Sequence, residues 1–209
     1  MKAEQFFTSK EKAEIAAAIS EVEKNTAGEI AIMVVDQSDS YPESNILTGF
    51  VLGGMLSLII TEIFFDDSLT WFMIFFTALF LSIALFINFF PGLKRLFISK
   101  NRLIEMVREQ AVQAFYEKEL YKTRDATAVF FFISLFERKL WILADKGINS
   151  KIPPTELQIF AGDMAEGIRK GKAANVLCQE ITQLGQVLAE YFPPRVDNVD
   201  ELSNQVIVG

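Results

Sequence analysis

Four charged side chains of this 209-residue chain lie at the ends of three short apolar runs and could share one site. The runs are residues 29–35, 126–135 and 139–144. Glu29 begins the first run, and Asp145 directly follows the third. Arg124 and Asp125 come directly before the second run. Carboxylate oxygens that converge with turn carbonyls are the ligands that hard cations such as Ca²⁺ and Mg²⁺ prefer. The sequence therefore makes Glu29, Asp125 and Asp145 candidate ligands of a divalent cation.

A second interpretation of the same residues stays open. Asp125 and Asp145 are also the residue types that cap helices and begin turns, and Arg124 or Lys146 could pair with them at the surface. Phosphatase chemistry would need more than a cation, namely a nucleophile or an activated water and donors to the phosphate oxygens. The sequence contains no Gly-rich phosphate loop that would supply such donors.

The composition excludes several other classes of function. The chain has no histidine, which rules out Ser-His-Asp and Cys-His catalysis and every His-ligated metal site. A net charge of −7 argues against a nucleic-acid partner, because phosphate binding needs clustered Lys and Arg. Cys178 is the single cysteine, so no intramolecular disulfide can form. Its apolar neighbours predict a buried side chain and not a reactive thiol.

Three strands would position the candidate ligands. Residues 29–35 form a nearly continuous apolar run, which predicts a strand with helices on both of its faces. Residues 126–135 and 139–144 are separated by three residues, which is hairpin spacing. A right-handed helical crossover would make the first two strands parallel. We therefore predict an α/β fold with a small central mixed sheet between two helical layers, an α/β/α sandwich.

The predicted site follows from this order and direction of the strands. The starts of the first and second strands and the end of the third would share one edge, where Glu29, Arg124, Asp125 and Asp145 gather. Gly147 would allow the turn that follows Asp145. The edge lies at the end of the sheet opposite the exit of the first strand, so we expect it to face soluble or peripheral partners.

The helices of the fold are indicated by caps and by apolar residues at helical spacing. Thr8 and Glu11 form a predicted capping box at the start of the first helix. The predicted helices after it span residues 103–121, then Pro153 to Gly171, then 174–188. Pro193 and Pro194 stop the last of these before a mostly polar tail at 196–209.

Two apolar segments interrupt the α/β pattern. Residues 46–65 and 69–90 each reach the about 20 residues that a helix needs to cross a bilayer, and the polar turn Asp66-Asp67-Ser68 separates them. They predict an antiparallel transmembrane hairpin, which divides the domain into residues 1–45 and 91–195. Gly49 and Gly53 would let the two spans, or two copies of the chain, approach closely.

Charges near the hairpin predict its orientation. Four basic residues follow the second span, whereas the turn carries only acids. The positive-inside rule then places both soluble flanks and both termini in the cytoplasm. Glu62 is the one ionisable residue inside a span, which makes it a candidate for ion handling, but its position near the turn favours a carboxylate that reaches the interface or stays protonated there. The basic residues are Lys94, Arg95, Lys100 and Arg102.

A set of short motifs resembles the TPM domain family, in its short bacterial, membrane-inserted form. The motifs are Phe6-Phe7-Thr8, Glu23 to Ile30 (EKNTAGEI), Leu135 followed by Glu137-Arg138-Lys139, Asp145 to Asn149 (DKGIN), Phe192-Pro193 and Val199 to Leu202 (VDEL). The resemblance covers residues 1–36 and about 97–205 and implies an α/β sandwich with a small central sheet. Members include plant thylakoid proteins linked to photosystem II repair, for which acid phosphatase activity and divalent-metal binding have been proposed. The proposed metal loops would map onto Asp125 and Asp145.

Taken together, the sequence predicts a membrane-tethered cytoplasmic binding or assembly module with Ca²⁺ or Mg²⁺ as the candidate ligand. Its partners would be the lipid bilayer and a protein of unidentified class. The alternative is a metal-dependent phosphatase, a phosphomonoester hydrolase at the membrane surface, and this alternative rests on the resemblance alone. Two spans with one carboxylate near the turn disfavour a transporter.

Overall fold

A computed structural model describes residues 2–66, 68–169, 172–194 and 201–209. The sequence interpretations that involve Asp67, Gly171 and the Val199-Asp200 pair lie outside these residues. The chain divides into two compact units. The α/β unit contains the chain up to Asp39 and from Ile104 onward, and the hairpin unit contains Ser40–Leu103.

The α/β unit is built on a mixed sheet, as the sequence predicted, with four strands where the sequence indicated three. Its strands are β1 (Glu29–Val35), β2 (Ala128–Ser134), β3 (Lys139–Ala144) and β4 (Ile207–Val208), in the order β3-β2-β1-β4. β1 pairs with β2 in parallel, and β2 pairs with β3 antiparallel. Both predicted pairings are confirmed.

β4 was not predicted from the sequence. Ile207 and Val208 pair in parallel with Met33 and Val34, and the Gly209 amide donates to the Val34 carbonyl at 3.1 Å. A strand of two residues is too short to show the alternation of apolar and polar residues that indicates a strand. The end of the chain therefore contributes to the sheet, although the sequence indicated only a polar tail there.

The described residues also form eight α-helices. They are α1 (Ser9–Glu23), α2 (Pro42–Phe64), α3 (Leu69–Phe86), α4 (Pro91–Leu96), α5 (Lys100–Glu117), α6 (Lys146–Asn149), α7 (Pro154–Arg169) and α8 (Ala173–Tyr191). The predicted capping box begins α1: Thr8 Oγ1 accepts from the Glu11 amide at 3.2 Å, and Glu11 Oε2 accepts from the Thr8 amide at 2.7 Å. The Thr8 amide and the Thr8 hydroxyl both donate to the Glu11 carboxylate, and these two hydrogen bonds hold the pKa of Glu11 below its usual value.

Alternate residues of β1 fill two separate cores, because successive side chains of a strand point to opposite faces of the sheet. Ile30, Ile32 and Val34 belong to a core that also contains residues of α1, α7 and α8. Ala31, Met33 and Val35 belong to a second core, which contains Val107, Ala111, Ala114 and Phe115 of α5. The near-continuous apolar run of β1 follows from burial on both faces.

In the hairpin unit, α2 and α3 pack antiparallel with their backbones in close approach. A Cβ added at Gly49 would lie 2.8 Å from the Phe80 carbonyl oxygen, and one at Gly53 would lie 2.9 Å from the Phe80 nitrogen. The predicted role of the two glycines between the helices is confirmed. α2 begins four residues earlier than the predicted span, with Pro42 in its first turn, and α3 ends at Phe86 in a 3-10 turn.

Candidate functional site

The structure brings the starts of β1 and β2 and the end of β3 to one edge of the sheet, as the sequence predicted. The Glu29 amide donates to the Thr127 carbonyl at 3.1 Å. The Asp145 amide donates to the Ala128 carbonyl at 2.9 Å. These bonds hold the backbones of two candidate ligands, Glu29 and Asp145, beside Thr127 and Ala128 at the start of β2.

The Glu29 carboxylate fastens the C-terminal segment to this edge. The side chain is buried, with 3% of its surface exposed. Its Oε2 accepts from the backbone amides of Glu201 and Leu202 at 3.3 and 3.1 Å. Glu29 therefore positions the segment that leads into β4, and this role was not visible in the sequence.

Arg124 and Asp125 lie in the loop that precedes β2, and both are exposed. The Arg124 amide donates to Glu201 Oε2 at 2.7 Å, so the C-terminal segment also holds this loop. Ala126 follows with a φ of 55°, in the left-handed region that non-glycine residues seldom adopt. The loop is therefore held both by hydrogen bonds within its own turn, such as that from the Ala126 amide to the Thr123 carbonyl, and by the C-terminal segment.

Asp145 combines a helix cap with a carboxylate oxygen that has no hydrogen-bond partner among the described residues. Its Oδ1 accepts from the Lys146 amide at 2.6 Å and caps α6. Its Oδ2 is buried and has no hydrogen-bond partner there. The capping role matches the second interpretation of the sequence. Because an unsatisfied buried acceptor is costly, Oδ2 is the atom of this edge best placed to accept a ligand's donor or a cation.

Asp145 lines a cleft of about 610 Å³, which is within the size range of small-molecule sites. One wall is α5, and the other is formed by the end of β3 together with α6. The cleft is lined by Val112, Phe115, Tyr116, Leu143, Ala144, Asp145, Lys146, Asn149 and Ser150. It offers a carboxylate, an ammonium group, amide and hydroxyl groups and an aromatic wall. The sequence did not predict it, because α5 and α6 meet β3 only in the folded chain.

Side-chain amides cover the outer edge of β3 beside this cleft. Gln158 Nε2 donates to the Ile142 carbonyl at 2.8 Å, and Asn149 Nδ2 donates to the Ala144 carbonyl at 2.6 Å. An exposed strand edge invites pairing with another chain, and these amides occupy the carbonyls that such pairing would use. The cleft beside Asp145 is therefore a better candidate for a binding site than the outer edge of β3.

The residues at this edge fit a cation site only in part. Within the described ranges, no three or more His, Cys, Asp or Glu residues cluster closely enough to hold a metal ion. Ca²⁺ takes six to eight oxygen ligands, so a cation at Asp145 would draw most of them from backbone carbonyls, neutral side chains and water. The three-carboxylate site of Glu29, Asp125 and Asp145 stays a prediction.

Cys178 lies on α8 and packs, partly buried, against the first core. Burial raises the pKa of its thiol, which disfavours the nucleophilic thiolate. Its environment agrees with the apolar role that the sequence indicated.

Comparisons with known proteins support the fold without assigning a family. No protein-family model matches the chain. No curated protein matches it either. The chain is similar to the NMR structure of the BA42 protein from the psychrophilic bacterium Bizionia argentinensis, with a TM-score of 0.62 and 20% sequence identity over 100% of this chain and 99% of that one. At this identity the similarity shows a shared fold alone.

Proposed function

We propose that this chain is a membrane-anchored cytoplasmic binding or assembly module, related to the TPM domain family. In this proposal α2 and α3 span the bilayer and the α/β unit binds its partner through the cleft beside Asp145. The main support for the membrane anchoring is the large apolar surface that α2 and α3 leave exposed.

The distribution of side chains on the hairpin is the reverse of that in a water-soluble helical pair. No residue of α3 is buried, and side chains such as Leu69 and Leu85 are 73% and 71% exposed. The buried side of α2 is instead formed by small or hydroxyl-bearing residues. They are Ser44, Thr48, Gly49, Gly53, Ser57 and Thr61. Small residues between helices and large apolar residues outside are typical of membrane proteins, and an exposed apolar surface of this extent needs a covering partner.

α2 and the segment Leu69–Phe89, which is α3 with the 3-10 turn after it, have the length and composition to cross a bilayer, with mean hydropathies of 2.0 and 2.3. Most of each helix is exposed, which distinguishes them from the core helix of a soluble protein. The basic residues that follow α3, against Asp66 in the turn, support a cytoplasmic location for both flanks. Glu62 lies exposed in the last turn of α2, where its carboxylate can reach the interface.

Cell fractionation tests the anchoring. We expect the full chain to stay in the membrane pellet after an alkaline carbonate wash and to be released by detergent. In a Cys178→Ser background, Asp66→Cys should react with an impermeant maleimide on intact cells, and Lys100→Cys should react only after permeabilisation. Recovery of the chain in the soluble fraction without detergent would contradict the proposal, and the reverse labelling pattern would contradict its orientation.

The cleft leads to a prediction about cation binding. Asp145→Asn keeps the shape of the side chain and its capping oxygen but removes the charge that a cation would bind. We expect the substitution to lower Ca²⁺ or Mg²⁺ affinity about tenfold or more, measured by calorimetry on the detergent-solubilised full chain. Glu105→Gln is the matched control, because Glu105 is an exposed carboxylate on α5 outside the cleft.

The same variants distinguish the binding module from the phosphatase alternative. The unpartnered Asp145 Oδ2 is the observation that favours the alternative, since it could hold a catalytic cation. We expect no cation-dependent turnover of a generic phosphomonoester by the purified chain. Turnover that needs Mg²⁺ or Ca²⁺ and disappears in Asp145→Asn, but not in Glu105→Gln, would replace the binding module by a phosphatase. If both variants bound the cation with the affinity of the wild type, Asp145 would not be a cation ligand.

A further inference from the structure

The segment after α3 exposes apolar side chains and buries a lysine. It comprises the 3-10 turn Ile87–Phe89 and α4, and we call it the 87–96 segment. Phe89 and Leu96 are 74% and 79% exposed, and Phe90 and Leu93 are also exposed. Lys94, on the same short helix, is only 4% exposed. In water this arrangement is unfavourable in two ways, because the apolar side chains are exposed to solvent and the charge is removed from it.

Hydrogen bonds within the hairpin unit hold this orientation. Lys94 Nζ donates to the Ser40 carbonyl at 2.5 Å and to Asn88 Oδ1 at 2.7 Å. The Lys94 carbonyl accepts from Ser44 Oγ at 3.0 Å, which ties α4 to the first turn of α2. The buried ammonium is thus compensated, and Phe90, Leu93 and Leu96 are left on the outer surface.

The sequence around the 87–96 segment is basic. Residues 87–103 contain four basic residues and no acid, in a chain with a net charge of −7. Lys100 is exposed, Arg95 is half-buried, and Arg102 forms an ion pair with Glu43 at 3.2 Å. A partner that accepts apolar side chains and offers negative charge to Lys100 would fit this surface.

An anionic phospholipid leaflet has both properties, with acyl chains below a layer of phosphate. We propose that the 87–96 segment lies in the membrane interface, with Phe89, Phe90, Leu93 and Leu96 inserted among the lipids and Lys100 at the phosphates of anionic headgroups. This inference rests on the proposed membrane anchoring. It adds a lipid class and extends the embedded surface beyond the predicted span end at Phe90.

Fluorescence quenching in lipid nanodiscs tests the depth of the segment. Single cysteines in the full-length Cys178→Ser chain would carry bimane at Leu96→Cys, at Ile74→Cys on α3 and at Ile159→Cys on α7, all at exposed apolar positions. We expect doxyl-labelled lipid to quench the first two and not the third. Absence of quenching at Ile74→Cys would reject the anchoring itself. Quenching at Ile74→Cys without quenching at Leu96→Cys would leave the anchoring intact and overturn the placement of the 87–96 segment in the interface.

The lipid class is tested with the Leu96→Cys reporter. Doxyl-phosphatidylglycerol at trace level should quench it more strongly than doxyl-phosphatidylcholine. Because a basic residue near the surface attracts anionic lipid by about 1 kcal/mol, Lys100→Gln should reduce this preference about fivefold. Lys118→Gln is the matched control, since Lys118 is exposed on the α/β unit. Equal quenching by the two lipids would overturn the headgroup assignment.

Discussion

Replacing Gly147 with alanine is expected to destabilise the α/β unit by about 3 kcal/mol, because overpacking against a backbone that cannot yield costs 1–3 kcal/mol or more. A Cβ at this position would lie 2.5 Å from the carbonyl oxygens of both Asp125 and Ala126. The Gly147 amide also donates to the Ala126 carbonyl at 2.9 Å, so the two segments cannot separate without losing that bond.

The Gly147 prediction is measured by urea unfolding of the full chain in detergent. Trp141 lies on β3 and packs against the second core, so its fluorescence in a Trp71→Phe background reports on the α/β unit. Gly162→Ala is the matched control, since nothing lies within 4 Å of a Cβ added in the middle of α7, and it should stabilise by about 0.5–1 kcal/mol. Equal effects of the two substitutions would show that the loop at Asp125 yields freely.

Gly147 also illustrates what the sequence could and could not predict. The sequence indicated that a glycine was needed after Asp145, and assigned it to a turn. The structure gives a different reason, which is the close approach of the loop that precedes β2. That contact joins residues about twenty positions apart, and no local pattern records it. The predicted meeting of Asp125 and Asp145 at one edge was nevertheless correct for the backbone.

Elements with a clear apolar pattern were predicted in type, but not all with the correct bounds. The strand predicted at residues 126–135 spans only Ala128–Ser134, and the helix predicted over residues 103–121 spans Lys100–Glu117. β1 and β3 begin and end at the residues that the apolar runs indicated, and the capping box at Thr8 is present. Apolar periodicity and caps are local properties, which a sequence displays directly. The hairpin glycines were recognisable for the same reason, since their spacing fixes one face of α2.

Features that depend on contacts between distant segments were missed. β4 is recognisable only when β1 offers an edge, and the cleft beside Asp145 exists only where α5 meets the end of β3. Lys94 was interpreted as one charge of a cytoplasmic cluster, whereas its ammonium is buried against Ser40 and Asn88. Each of these depends on partners that no short window of sequence contains.

Glu137 is a further residue of this kind, and it occupies the end of the sheet opposite Asp145. It lies fully buried in the turn between β2 and β3. Its Oε1 accepts from the Ser38 amide at 2.9 Å, and its Oε2 accepts from the Ser134 hydroxyl. Ser38 lies just before the hairpin unit begins at Ser40. The Glu137 carboxylate therefore holds the chain where it leaves the α/β unit.

Glu137→Ala should destabilise the α/β unit by about 3–5 kcal/mol, because it leaves the Ser38 amide and the Ser134 hydroxyl without their acceptor at about 1–3 kcal/mol each and opens a cavity. Glu137→Gln should cost less, since its amide oxygen can still accept one of the two bonds. Trp141 fluorescence during urea unfolding gives the stability, and hydrogen exchange at the Ser38 amide should accelerate in Glu137→Ala. Glu105→Ala, on the exposed face of α5, should stay within about 0.5 kcal/mol of wild type. A Glu137→Ala variant as stable as this control would mean that the chain leaving β1 is held by other contacts.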